Sequence, residues 1–128
     1  MAAKPKRGRP EALLQEAVAQ YLDAALDPRY AMARGIENNP RSPIAGAQQR
    51  KRGVLPGTAD ILIWWTARNG NKGFGAVELK AKGNYQDPNQ AIFETRFSAI
   101  GGKYEVCYSQ AEVEAALKAW GVPTRIAK

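Results

Sequence analysis

From Pro10 onward apolar residues recur with a helical period: Leu14, Val18, Tyr21, Leu22 and Ala25 fall on one stripe at about 100° per residue. Pro10 suits a first helical turn, where its missing N–H leaves no bond unmade, and Asp27-Pro28 stops the pattern. A helix is therefore predicted to about Leu26. Tyr30 to Ile36 reads as a short extended segment. Asn38, Asn39, Pro40, Ser42, Pro43 and Gly46 mark a long loop, with room for one helical turn at Ala45 to Arg50. Ala59 to Trp65 is a compact run of strand formers, Gly70 to Gly73 a hairpin connection, and Phe74 to Lys80 the return strand. A loop from Gly83 to Pro88 leads into a helix from about Asn89 to Ile100, which Gly101-Gly102 ends. Tyr104 to Tyr108 is a short strand. Ser109, with Glu112 three residues on, has the pattern of a capping box and opens a helix to about Trp120. The order helix, strand, hairpin, helix, strand, helix predicts a mixed α/β domain with one central sheet.

Length and composition narrow the chemistry. The chain has 128 residues, enough for one domain that buries roughly two thirds of its unfolded surface. Residues 1–9 read as a disordered basic arm, 10–122 as the folded domain and 123–128 as a tail. A single cysteine, Cys107, excludes an internal disulfide and any cysteine-rich zinc site. The absence of histidine removes the Ser-His-Asp triad and every His-based metal site. Any metal ion must be held by oxygen donors, which suit Mg²⁺ or Mn²⁺. No apolar run is long enough to span a membrane, and the basic N-terminus has no apolar stretch behind it. The expected location is the cytoplasm, either the bacterial cytosol or an infected host cell. The net charge of +7 is clustered. Lys4, Lys6, Arg7 and Arg9 lie in the arm, and Arg50, Lys51 and Arg52 form a second group. Such clusters attract phosphate backbones by counterion release, whereas evenly spread charge would serve solubility alone.

The chemically informative pattern is Asp60 followed by Glu78-Leu79-Lys80. Alternate side chains on a strand share a face, so Glu78 and Lys80 point the same way. An isolated Glu-x-Lys carries no information. Here Asp60 opens one strand of the hairpin and Glu78 closes the other, and antiparallel pairing brings those ends together. Adjacent carboxylates repel, and a bound cation relieves the repulsion. Phosphodiester hydrolysis uses this set: carboxylates fix a divalent ion, and a lysine stabilises developing negative charge.

Gly53-Val54-Leu55-Pro56-Gly57-Thr58-Ala59-Asp60-Ile61-Leu62-Ile63, then Ala76-Val77-Glu78-Leu79-Lys80, then Gly83 and Gln90, resembles a VRR-NUC domain of the PD-(D/E)xK nuclease superfamily. The resemblance covers roughly residues 10 to 121. It implies a restriction-endonuclease-like core, a central mixed sheet flanked by helices, and metal-dependent cleavage of DNA. Asp60 and Glu78 would be metal ligands with the backbone carbonyl of Leu79, Lys80 the catalytic lysine, and Gln90 a glutamine beside the site. Asn38-Asn39-Pro40-Arg41-Ser42 resembles the family's Asn- and Arg-containing loop, with Arg41 toward DNA. The family usually has proline before the aspartate; here it is Ala59. Members often add an acidic residue from the first helix, and Glu11 and Glu16 are the alternatives. The helical wheel favours Glu11, which projects with Leu14, Gln15, Val18 and Leu22, while Glu16 falls on the polar side. Standalone members resemble structure-selective enzymes acting on branched DNA such as Holliday junctions, often as homodimers.

The other readings are a DNA-binding module that keeps the fold without activity, and a basic scaffold. The arm Lys6-Arg7-Gly8-Arg9-Pro10 is similar to an AT-hook core, whose arginines enter a narrow minor groove; plain electrostatic tethering is the broader reading. Arg50, Lys51 and Arg52 precede the Asp60 strand and are expected to touch phosphates. Trp64 and Trp65 must face opposite sides of their strand, one of them in the core. Cys107 is expected to be an inert buried thiol.

Overall fold

The first helical stripe folds as expected into α1, Arg9–Ala25. Val18, Leu22 and Ala25 are buried, and Leu14 and Tyr21 pack half-buried against the same core. The computed structural model describes residues 9–36, 42–53 and 56–125. Lys4, Lys6 and Arg7 of the expected arm, Arg41 and its neighbours, Val54, Leu55 and the last three residues lie outside these. The remaining elements are β1 (Ala31–Gly35), α2 (Pro43–Lys51), β2 (Ile61–Thr66), β3 (Lys72–Leu79), α3 (Pro88–Ala99), β4 (Lys103–Cys107) and α4 (Gln110–Trp120). One departs from expectation. In place of a single turn, α2 is a nine-residue helix with Pro43 in its first turn, and the Ser42 hydroxyl accepts a bond from the N–H of Ala45 at 3.1 Å. Ser-Pro breaks a preceding element and caps a following one; here the second property decides.

The four strands form one mixed sheet in the order β1-β2-β3-β4. β1 and β2 pair antiparallel, as do β2 and β3. β3 and β4 pair parallel, with α3 as the crossover that parallel neighbours require. With four helices around it, this is the restriction-endonuclease-like arrangement. The two faces of the sheet differ. Ile61, Ile63, Trp65, Val77, Leu79 and Cys107 join Val18 and Leu22 of α1 and Val113 and Leu117 of α4 in the main core. On the opposite face Phe74 meets Phe97 of α3 edge-on at 5.2 Å, and Phe93 lies 6.0 Å from Tyr104.

Trp65 is the core member of the tryptophan pair. Its ring lies flat against Trp120, with centroids 5.7 Å apart and planes 6° from parallel. Glycines make room for this stack: a Cβ at Gly73 would come within 2.6 Å of Trp65, and one at Gly75 within 2.9 Å of Trp120. Trp64 on the other face stays exposed. Burial pushes the Cys107 thiol up to about 12, helped by Glu105 and Glu112, which keeps the thiolate that reacts scarce at neutral pH. No helix among the described residues is long and apolar enough to cross a membrane.

Candidate active site

The β2–β3 hairpin places its acidic residues as strand alternation requires. Ile61 pairs with Val77, so Asp60 and Glu78 lie one step further along, at the same end of the hairpin. An Asp60 carboxylate oxygen, Oδ2, accepts a 2.7 Å bond from the N–H of Leu79. The Asp60 carbonyl accepts from the N–H of Ile36 at 2.8 Å, tying the end of β1 to the same corner. The approach to Asp60 is held by Gly57, whose φ is +90° and whose missing Cβ leaves room for the Asn89 backbone, 2.5 Å from where that Cβ would stand. Only glycine meets both demands. The Leu79 side chain is in the core, so its contribution at this corner is backbone alone.

Glu78 is fully buried. Its Oε1 accepts from the Tyr104 hydroxyl at 2.5 Å and from the Gln86 amide at 3.1 Å. The same amide nitrogen bonds Glu94 of α3 at 2.9 Å. Oε2 has no hydrogen-bond partner; the Lys80 ammonium stands 3.8 Å from it. That separation gives Coulombic attraction but not a hydrogen bond. A buried carboxylate oxygen without a donor is unusual, because burial without a partner is costly. Desolvation, reinforced by the bond to Glu78, raises the Tyr104 pKa. The hydroxyl therefore stays protonated and donating through ordinary alkaline pH.

The site draws its parts from distant segments. The α1 wheel places Glu11 inward: it is buried, and Glu16 is exposed. Glu11 Oε2 accepts from the N–H of Ala81 at 3.2 Å and from the Asn84 amide at 2.7 Å, clamping the chain just beyond Lys80. Among the described residues no group of three or more Asp, Glu, Cys or His side chains converges as a metal cage. Asp60 and Glu78 thus share a corner, while Glu11 supports the turn beside it.

Comparison by sequence with protein families and with curated proteins finds no match. Comparison of folds finds a solved structure described as a "VRR_NUC domain". It aligns with a TM-score of 0.56 over 88% of this chain and 99% of that one, at 20% identity. The chain has the VRR-NUC fold.

Within the VRR-NUC fold, Gln90 stands in the first turn of α3. Its side-chain carbonyl accepts from the Asp87 N–H, and Asp87 accepts from the Gln90 N–H, both at 2.9 Å. This reciprocal pair is a complete capping box, and Asp87-x-x-Gln90 was its legible signal. At Ser109 the box is shifted instead. The Ser109 hydroxyl accepts from the Glu112 N–H, but Glu112 reaches back to the N–H of Tyr108. Gln90→Ala removes one hydrogen bond of the box and is expected to lower stability by about 0.5–1.5 kcal/mol, measured by urea denaturation. Gln90→Glu keeps the reciprocal pair and so separates capping from any further role of this side chain.

Sequence reading missed Gln86 and Tyr104, which bond Glu78, and Glu94, which accepts from the same Gln86 amide. Tyr104 was legible only as a strand residue; its parallel partner is Ala76, a pairing no local pattern announces. Of the basic residues expected at DNA, Arg50, Lys51 and Arg52 are exposed at the end of α2, and Arg9 is exposed at the start of α1. Gln15 faces a cleft between α1 and β1, with Arg34 and Arg125.

Proposed function

We propose that the protein is a divalent-metal-dependent DNA endonuclease whose centre is Asp60, Glu78, Leu79 and Lys80. The observation that carries this reading is Glu78 Oε2, buried, without a donor, and facing an ammonium group. Tyr104 and Gln86 both engage Oε1, which leaves Oε2 as the oxygen for a cation. The donors fit a hard ion: Glu78 Oε2, an Asp60 oxygen and the Leu79 carbonyl would hold Mg²⁺ or Mn²⁺, with the Glu11 carboxylate, water and phosphate oxygens completing the shell. Such an ion polarises phosphoryl oxygens and lowers the pKa of a bound water. Lys80 supplies the positive charge that meets negative charge developing on the phosphate. The N–H of Leu79 fixes the Asp60 carboxylate, and Glu11 fixes the turn after Lys80, so the corner is organised before substrate arrives. Arg9, Arg50, Lys51 and Arg52 would contact the phosphate backbone, together with Lys6, Arg7 and Arg41.

The substrate favoured is branched DNA, cut by a homodimer. Symmetric incision of a four-way junction takes two centres, and one chain supplies one. A second reading, a DNA-binding module with the fold but no activity, draws on the lack of a three-carboxylate cage among the described residues. Plasmid, junction and flapped substrates incubated with Mg²⁺ or Mn²⁺, with and without chelator, separate the two. The nuclease reading expects cleavage that chelator stops, and a Lys80→Ala protein that binds DNA normally but cuts at least about a hundredfold more slowly. Wild-type protein that binds but never cuts with any divalent ion leaves the second reading standing.

A further inference from the structure

Helix α3 and its C-cap residue, Ile100, carry apolar side chains that the sheet does not cover. Ile92 and Ile100 are 57% and 74% exposed, and no residue of the helix is fully buried. Together with Phe93 and Phe97 they line a groove of about 660 Å³, within the range of about 300–1,000 Å³ usual for ligand clefts. Arg96 of α3 and Arg50 of α2 stand on the elements that bound it, both exposed. The other described lining residues are neutral: Gly53, Pro56, Thr58 and Asn89.

Cationic walls over a partly aromatic floor select a ligand with negative charges along one edge and flat apolar faces along the other. An unpaired nucleic-acid strand has that chemistry, since its phosphates meet arginines and its bases lie on the floor. An intact duplex hides its base faces and leaves Ile92 and Ile100 without a counterpart. A second copy meeting this face across a two-fold axis would set the arginines of one groove, Arg50 and Arg96, against those of the other, which like charge opposes.

Two of the groove's lining residues lead toward the carboxylates. Thr58 in its wall lies two residues before Asp60, and the Phe93 ring is 6.0 Å from that of Tyr104, whose hydroxyl holds Glu78. We propose that this groove binds an unpaired segment of the DNA, a flap or a strand at a branch point, and so brings the adjoining duplex to Glu78. Its bearing on cleavage rests on the nuclease reading; the binding itself does not.

The test is fluorescence anisotropy of a labelled oligothymidylate with the full-length chain in chelator, across a salt series. Arg96→Ala is expected to weaken binding about tenfold and to flatten the salt slope by roughly 0.7, the value of one phosphate contact on a single strand. The Ile92→Ser/Ile100→Ser double variant is expected to weaken binding about tenfold with the slope kept, because it removes apolar contact alone. In cleavage assays both variants should lower the ratio of flapped to blunt duplex cut. Oligothymidylate affinity unchanged in both variants overturns the proposal, as does a dimer that dissociates in the double variant while affinity holds. Groove-dependent binding by a protein that cuts nothing upholds the groove and removes the nuclease reading. Duplex cleavage with variant-insensitive oligothymidylate binding does the reverse.

Discussion

Glu78→Gln is expected to reduce DNA cleavage at least about a hundredfold while the chain still folds and binds DNA. The substitution keeps the shape and keeps one oxygen for Tyr104 and Gln86. It replaces Oε2, the buried oxygen with no donor, by an amide NH₂ facing Lys80. Two effects on stability then oppose each other. Removing a buried charge relieves desolvation, and setting two donors face to face loses an ion pair. The net change is expected to stay within about 1 kcal/mol, so the melting temperature should move by only a few degrees. Tyr104→Phe supplies a graded companion. It removes the 2.5 Å bond that orients Oε1, and loss of such a supporting contact weakens metal affinity or activity by about 10–100-fold. Metal titrations of cleavage should show the Tyr104→Phe curve shifted to higher ion concentration. A Glu78→Gln protein that cuts at the wild-type rate would end the proposal that this carboxylate holds the ion.

Trp65→Ala is expected to lower stability by about 3–5 kcal/mol, against a total of about 5–15 kcal/mol for an ordinary domain. Trp65 is 7% exposed and lies flat on Trp120. β3 has glycine at 73 and 75, where any Cβ would strike the rings. Truncation therefore leaves a void whose walls are backbone and a large rigid ring, and neither collapses readily into the gap. Urea unfolding should show the midpoint falling sharply with little change in slope. Trp64→Ala next door is the control. Its side chain is 40% exposed on the other face, and a loss as large as that at Trp65 would show that the two faces had been assigned wrongly.

What was legible in the chain follows from how local each signal is. The α1 stripe is a property of one helix, and it placed both Val18 in the core and Glu11 on the inner side. The hairpin is nearly as local: β2 and β3 are joined by a short turn, so alternation alone put Asp60 and Glu78 at one end. α2 was underestimated because Ser42-Pro43 signals both a break and a start. At Gln90 two signals coincide, the resemblance to a site glutamine and a cap pattern with Asp87 three residues earlier, and the cap is the one that local spacing carries. Tyr104 and Gln86 were invisible. The first reaches Glu78 only through the parallel pairing of β4 with β3, the second only through the path of a loop. Neither depends on a spacing that can be counted along the chain.

The bonds around the carboxylates join positions far apart in the chain: Leu79 to Asp60, 19 residues away; Tyr104 to Glu78, 26; Ala81 to Glu11, 70. A polypeptide emerging from the ribosome carries Asp60, Glu78 and Lys80 well before Tyr104 has been synthesised. Until β4 docks, the glutamate lacks the hydroxyl that orients it. Assembly of this corner is thereby a late event, timed by completion of the sheet rather than by the appearance of the acidic residues themselves.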